Sequence, residues 1–471
     1  MTVSTRRQAS TRIGIDTGGT FTDFARIRGN RLEVWKAPSN RRDPSVPIRE
    51  GLRGRGLPGS GIEVIHGTTV ATNALLERRG ARTAVLTTAG LEDVLEIGRQ
   101  NRPRLYQLCG TRTKPLVGRR WRIGLRERIH ADGTVEVPLT RIEVERVLEK
   151  LRQQGIESIA VCFLHSYRNP AHEKLVARCS RGDLFLSLSH QISPGYREYE
   201  RFSTTAANAY LSPVLKRHLQ GLLPALGKAS LRVMTSNGGS AAVGRVGDEA
   251  VRTILSGPAG GVLGVSRLGD QVGRSGMIAF DMGGTSTDVS LLDGGVRFAN
   301  ESRVAGYPLR LPTIDIETVG AGGGSVARRD RGGALRVGPE SAGADPGPVC
   351  YGAGTELTVT DANLFLGRLS PVDFLGGAME IQPDRTAVQM EKFARSFSRS
   401  PREVAEGILE IANATMERAI RTVSVARGFD PKRFLLVCYG GASGLHACDL
   451  ARSLQIPEIL IPVHPGTFSA I

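Results

Sequence analysis

What this 471-residue chain lacks narrows it first. No run of about 18 apolar residues occurs, so no segment reads as a membrane-spanning helix. The opening MTVSTRRQASTRIG has arginines but no apolar stretch behind them, so it does not read as a secretory signal. Cysteine is sparse: Cys109, Cys162, Cys179, Cys350, Cys438 and Cys448 form no C-x-x-C pair and no zinc-type spacing with histidine. That argues against a disulfide framework and reads as reduced thiols, mostly packed in cores. Aromatics are 5% of the chain, and no long basic block exists. The net charge of +16 comes from arginines scattered singly or in pairs such as Arg41-Arg42 and Arg119-Arg120. Such a surface is solvated rather than built for nucleic acid, though it still attracts small anions. The expectation is a cytoplasmic protein with neither a membrane nor a nucleic-acid partner.

Glycine is abundant: 58 residues, clustered at Gly18-Gly19, Gly238-Gly239, Gly257 to Gly261, Gly283-Gly284, Gly322 to Gly324 and Gly440-Gly441. Glycine clusters between apolar runs mark tight turns and close approach of backbone to something. Two of them sit in one repeated phrase. GIDTGGTFTDFA and FDMGGTSTDVSL share Asp-x-Gly-Gly-Thr-x-Thr-Asp, beginning at Asp16 and Asp281. In each copy a strand ends in aspartate and the glycines turn the chain, leaving backbone N–H groups on a concave, anion-attracting surface. Thr20 and Thr22, with Thr285 and Thr287 in the second copy, add hydroxyls. Asp16 and Asp23, matched by Asp281 and Asp288, suit a hydrated cation. Mg²⁺ usually takes one or two carboxylates and completes its shell with water and phosphate oxygens. Two such turns facing each other would grip a polyphosphate, with Asp16 and Asp281 flanking one metal. Phosphoryl transfer needs mainly that positioning and charge neutralisation. The doubled turn is neither a Walker A loop nor a Rossmann fingerprint.

At roughly 100–200 residues per domain, the length calls for several domains. Residues 12 to 36 read as a three-strand meander. From Ile62 to Arg178, strands alternate with helices: Thr83 to Thr88 and Ile159 to Leu164 as strands, Val70 to Arg79, Leu91 to Gly98 and Ala171 to Arg178 as helices. Arg141 to Gln154 is an amphipathic helix with Ile142, Val144, Val147, Leu148 and Leu151 on its buried face. Further on, Thr204 to Leu223 reads as helical with a kink or break at Pro213. Strands Met277 to Phe280 and Val289 to Leu292 flank the second corner. A long helix runs from Pro401 to Arg427, and a buried strand from Phe434 to Tyr439 ends in Gly440-Gly441. The pattern is α/β, with a whole half duplicated. Asp361 caps the helix that follows it, and His446 is a packing histidine.

The doubled turn resembles the phosphate-1 and phosphate-2 loops of the actin, sugar kinase and heat-shock chaperone ATPase superfamily. Within it, GIDTGGTFTD, HGTTVATNALLERRG, TSNGGS, SGPAGG, FDMGGTSTDVS, TVGAGGGS, ADPGPVCYG, TVTDANLFLGRL and the tail HPGTFSAI resemble the hydantoinase A and 5-oxoprolinase family, which includes the acetone carboxylase β subunit. The resemblance implies two ribonuclease-H-like lobes with a nucleotide cleft between them, divided as 1–203 and 204–471. The first lobe would carry the phosphate-1 loop, and the second the phosphate-2 loop and an adenosine motif, LLVCYGGASGLH, in which adenine lies against Gly440 and Gly441. The family commonly has proline where this chain has Gly444, which loosens that turn. It also implies ATP and Mg²⁺, phosphorylation of the carbonyl oxygen of a cyclic amide followed by ring opening by water, and a hydantoinase B-like partner subunit. A homo-oligomer is compatible with this reading. Family members continue past S-A-I-G, so the expectation is a chain without the usual C-terminal region. His66, Thr68, Thr69 and Asn73 are substrate-side candidates mainly because the family has the same stretch, which here follows a strand and opens a helix whose amides suit an anion or carbonyl; the alternative there is a plain helix cap. A carboxylase-type β subunit acting on a ketone and bicarbonate, a non-catalytic nucleotide-binding module and a small-molecule kinase are the competing readings.

Overall fold

The computed structural model describes residues 11–18, 21–28, 31–40, 43–56, 61–101, 113–377 and 379–471. Gly19, Thr20 and Cys109 lie outside the described residues. The chain divides into two compact units that interleave in sequence. The first comprises Met1–Gly67, Gly257–Arg297 and Ile314–Ile471; the second comprises Thr68–Ser256 and Phe298–Thr313. The division at 203/204 read from the sequence falls inside a single helix, Glu198–Leu226, of the second unit.

The first unit contains two sheets of one plan. In the first sheet, Ile62–Gly67 runs parallel to Thr11–Thr17, which pairs antiparallel with Phe21–Arg28, and that with Arg31–Pro38. In the second, Ile459–Leu460 and Leu435–Tyr439 run parallel beside Gly276–Met282, which pairs antiparallel with Thr287–Asp293, and that with Glu317–Val319. The second sheet is covered on both faces, so its central strands are nearly continuous apolar runs. Ile278, Phe280, Leu436 and Cys438 face the helix Pro401–Val423, whose Ile408, Ala412 and Met416 are buried against them. Met277, Ala279, Leu435, Val437 and Tyr439 face Ala259, Val262 and Val265 of the helix Ser256–Val272. This alternation is the two-residue period of a strand.

The second unit carries an all-parallel sheet in the order Phe185–Leu188, Ser158–Cys162, Thr83–Thr88, Arg122–Leu125. Ala84, Leu86, Ile159 and Val161 pack with the helices Arg141–Gln153 and Ala171–Cys179 on one face. Val85, Ala160 and Cys162 pack with Phe202, Ala206 and Ala209 of Glu198–Leu226 on the other.

Three expectations are corrected. Ile142 is 80% exposed. The buried stripe runs through Val144, Leu148 and Leu151, and at about 100° per residue Ile142 falls on the opposite side from Val144. The helix expected over Leu91 to Gly98 shrinks to Val94–Ile97, none of whose side chains is buried. The long helix is not broken at Pro213 but runs from Glu198 to Leu226. Proline removes the N–H that would bond the Ala209 carbonyl; the Ser158 hydroxyl donates to that carbonyl instead, at 2.6 Å. The next carbonyl, of Tyr210, accepts from the Ala81 N–H at 2.9 Å. Among the described residues no helix is long and apolar enough to cross a membrane.

Candidate functional site

The repeated phrase folds into two hairpins of the same register. Asp16 lies directly opposite Asp23 and Thr17 opposite Thr22; Asp281 lies opposite Asp288 and Met282 opposite Thr287. The same bond closes each corner: the Gly18 N–H donates to the Phe21 carbonyl at 2.9 Å, and the Gly283 N–H to the Ser286 carbonyl at 3.1 Å. The second corner is braced from behind. The Gly323 and Gly324 N–H groups donate to the carbonyls of Gly283 and Gly284 at 3.0 and 2.7 Å. The amides of Gly284 and Thr285 have no acceptor among the described residues, which leaves N–H groups at the tip for an anion. Thr22 and Thr287, read from the sequence as hydroxyl donors to a ligand, are both buried. The Thr287 hydroxyl donates to the Ala321 carbonyl at 2.5 Å, and Thr22 Oγ1 lies 3.1 Å from Ser39 Oγ. Both hydroxyls therefore hold the corners in shape.

Both corners belong to the first unit, and their four carboxylates sense one another. Burial pushes the Asp281 carboxyl up to about 8, reinforced by Asp288 and Asp16. Burial likewise raises Asp16 to about 7, with Asp23 adding repulsion and Lys36 opposing it. Asp288 rises to about 6 through burial, offset by a hydrogen bond from Thr318. Asp23 is raised by burial and pulled back by Lys36. Crowded, desolvated carboxylates of this kind are relieved by a cation.

The four are not equivalent. Asp23 has a standing partner in Lys36, opposite it on the next strand, with Nζ 2.5 Å from Oδ1. Asp288 has one in the hydroxyl of Thr318, again directly opposite on the next strand. Asp16 has no hydrogen-bond partner among the described residues, and Asp281 accepts only from the Ser469 hydroxyl at 3.3 Å. Asp16 and Asp281 are thus the carboxylates available to a cation. Among the described residues no three His, Cys, Asp or Glu side chains close in as a complete metal cage. Two carboxylates plus ligand oxygens and water is the donor set Mg²⁺ accepts, so the residues present fit that ion.

The Gly440-Gly441 turn is built onto the second corner. Tyr439 lies opposite Asp281, and the Ala442 N–H donates to the Met282 carbonyl at 3.0 Å. Gly440 adopts φ +86°, and a Cβ there would stand 2.2 Å from Asp281 Oδ1. Only glycine satisfies both conditions. His66 is buried in the first unit, one residue before Gly67, which lies opposite Asp16. Thr68, Thr69 and Asn73 belong to the second unit and bond locally at the start of the helix Val70–Leu76, whose N-cap Thr69 makes no side-chain cap bond. Thr68 Oγ1 accepts from the Val70 N–H at 3.2 Å, and Asn73 Nδ2 donates to Thr69 Oγ1 at 3.4 Å. Asp361 is not the cap expected from the sequence but the third residue of the helix Val359–Phe365, whose N-cap is Thr358; buried there, it closes a capping box with Thr358 and accepts from the Val349 and Cys350 N–H groups. His446 is buried and satisfied between Asn413 and Asn363.

The sequence reading missed Lys36, Thr318 and Ser469. A signal existed for Lys36: counting outward along the meander from Arg28 and Arg31, on either side of Gly29-Asn30 in the sequence, sets it opposite Asp23. Ser469 had none, because its contact with Asp281 spans nearly 200 residues.

Two sheets of like topology, each carrying a glycine corner with paired aspartates, define an α/β protein of the actin and ATPase-like fold. Solved structures agree. The crystal structure of the ATP-dependent caprolactamase of Pseudomonas jessenii matches with a TM-score of 0.83 and 38% identity, over 98% of this chain and 70% of that one. Nucleotide-free acetone carboxylase, described as carrying out ATP-dependent acetone carboxylation, matches with a TM-score of 0.84 and 28% identity, over 98% and 69%.

The chain belongs to the hydantoinase/oxoprolinase family. The family's models match at residues 201–471 (hydantoinase/oxoprolinase) and 12–183 (hydantoinase/oxoprolinase N-terminal region). Curated relatives include the caprolactamase subunit alpha of P. jessenii, 40% identical over 96% of this chain and 68% of its own length. 5-Oxoprolinase 1 of Arabidopsis thaliana is 38% identical over 98% of this chain, which spans 41% of that protein. An uncharacterised protein of Methanocaldococcus jannaschii is 39% identical over 98% of this chain and 72% of its own length.

Proposed function

We propose that this chain is the nucleotide-using subunit of an ATP-dependent cyclic-amide hydrolase. The observation that carries the reading is the convergence, in one compact unit, of two corners of identical register whose least-bonded carboxylates, Asp16 and Asp281, sense each other. Mg²⁺, held by those two, would neutralise charge on a polyphosphate. Gly18, Gly283, Gly284 and Thr285 line the two corners, with Gly19 and Thr20 assigned to the first by the repeat, and Gly440-Gly441 takes the adenosine side. Asp23 and Asp288, each with a standing partner, hold the shape and field of the site. Phosphorylation of the amide carbonyl oxygen makes its carbon electrophilic. Water then adds there, the ring C–N bond breaks and phosphate leaves.

A caprolactamase subunit designated alpha among the relatives supports a partner subunit, which we take to be of hydantoinase B type. His66, Thr68, Thr69 and Asn73 are assigned to the substrate side on the family resemblance. The match to acetone carboxylase favours a second reading, activation of a ketone and bicarbonate. Assaying ATP cleavage with hydantoins, lactams and 5-oxoproline against ketone plus bicarbonate separates the two. The site itself is tested by Asp281→Asn, which removes a carboxylate without changing shape. ATP turnover should fall by at least about a hundredfold while circular dichroism and melting temperature hold. Full turnover in that variant would end the assignment.

A further inference from the structure

Among the described residues, one cation stands among the four aspartates, and it lies outside the stretches that carry the family resemblance. Lys36 sits on the third strand of the first sheet. Its ammonium lies 2.5 Å from Asp23 Oδ1 and also donates to the carbonyl of Gly466. Gly466 belongs to the turn Pro465–Ala470, which touches both corners. On the first corner's side, the Ala470 carbonyl abuts Gly14 so closely that a Cβ on Gly14 would stand 1.8 Å from its oxygen. On the second corner's side, Ser469 donates to Asp281, the Pro465 carbonyl accepts from the Gly440 N–H at 2.8 Å, and Phe468 packs on Tyr439 at 5.0 Å. The tail segment is therefore a strap between the two corners, and Lys36 is its polar attachment to the first. Behind the same corner, the Ser39 hydroxyl donates to the Gly18 carbonyl at 2.8 Å.

Charge arithmetic gives Lys36 a second task. Four carboxylates alone attract a cation and repel a nucleotide's phosphates. An ammonium fixed beside Asp23 cancels one of those charges at the first corner's strands. We infer that Lys36 is a positioning and charge-setting residue: clamped between Asp23 and the Gly466 carbonyl, it ties the strap to the first corner and makes the aspartate cluster acceptable to an anionic phosphate chain. The inference rests on the nucleotide reading of this site and deepens it.

The consequence is a change of opposite sign for two ligands. In Lys36→Met, the cluster gains net negative charge. Binding of ADP without metal should weaken about tenfold or more, while binding of Mn²⁺ alone should tighten several-fold. Lys36→Arg keeps the charge and should stay within about threefold of the parent for both ligands. Isothermal titration of the full chain with ADP in chelator, and electron paramagnetic resonance of free Mn²⁺, read the two arms. Loss of both affinities together in Lys36→Met, or no change in either, would overturn the inference. If the parent protein binds no ADP with or without Mg²⁺, it is the nucleotide reading that falls.

Discussion

Gly440 and Gly441 are adjacent and chemically identical, yet the structure asks different things of them. Gly440 holds φ +86° and leaves no room for a Cβ beside Asp281, whereas nothing stands within 4 Å of a Cβ built on Gly441. Gly440→Ala should therefore cost about 1–3 kcal/mol through backbone strain alone, and it should weaken nucleotide binding by displacing the Asp281 carboxylate. Gly441→Ala should leave stability within about 0.5 kcal/mol. Urea denaturation of the two variants, with nucleotide titration, makes the comparison. At His446 the relevant quantity is charge. Burial, with a smaller push from Arg368 against a pull from Asp449, lowers its pKa to about 4. The unfolded chain, with a histidine pKa near 6.5, then binds more protons than the folded one between those values. The stability this residue contributes is complete above about pH 6.5 and is lost as pH falls toward 4, amounting to about 2 kcal/mol by pH 5. The raised aspartates act with the opposite sign, since the folded state holds their protons more tightly. The parent should be compared with His446→Gln at pH 7.5 and pH 5, so that the aspartate contribution cancels. A pH-independent difference between the two would disprove the buried neutral imidazole.

Among elements, the two aspartate hairpins show what a sequence discloses. Their corners, their strands and the equal placing of Asp16, Asp23, Asp281 and Asp288 follow from eight residues written twice. The partners of those aspartates do not, because Lys36 and Thr318 are set by strand register and Ser469 by a contact made only after folding. Pro213 teaches the same lesson in the other direction: local chemistry predicts a kink or break, and a serine far away in sequence satisfies the carbonyl that the proline leaves free. Where all determinants are local, the sequence suffices. The helix Pro401–Val423 begins with Ser400 accepting from the Glu403 N–H, while the Glu403 carboxylate accepts from the Ser400 N–H at 2.8 Å. Proline stands at its first position, where its missing N–H costs nothing. Since this helix covers one face of the second sheet, Ser400→Ala should lower global stability by about 1 kcal/mol. A denaturant midpoint unchanged within error would mean that the first turn frays at little cost.

For the molecule as a whole, the interleaved division matters most. A linear cut near residue 203 looks natural, because helix–strand alternation gives way there to a long helix and the family's models meet nearby. Contacts group the chain otherwise, and all the corner elements fall in the first unit: both aspartate hairpins, the Gly322 to Gly324 brace, the Gly440 turn and the strap. The second unit has its own sheet and cores on both faces. A ligand that binds only the folded state stabilises it by about 2.7 kcal/mol at a hundred times its dissociation constant, and that gain is felt first where the ligand touches. Mg²⁺–ADP should therefore slow amide hydrogen exchange at residues 14–18, 281–288, 322–325 and 440–442. Exchange in Thr83–Thr88, Ser158–Cys162 and Phe185–Leu188 should change far less at matched conditions. Equal protection in that parallel sheet would show that the nucleotide needs the second unit to bind, and the site would have to be redrawn to include it.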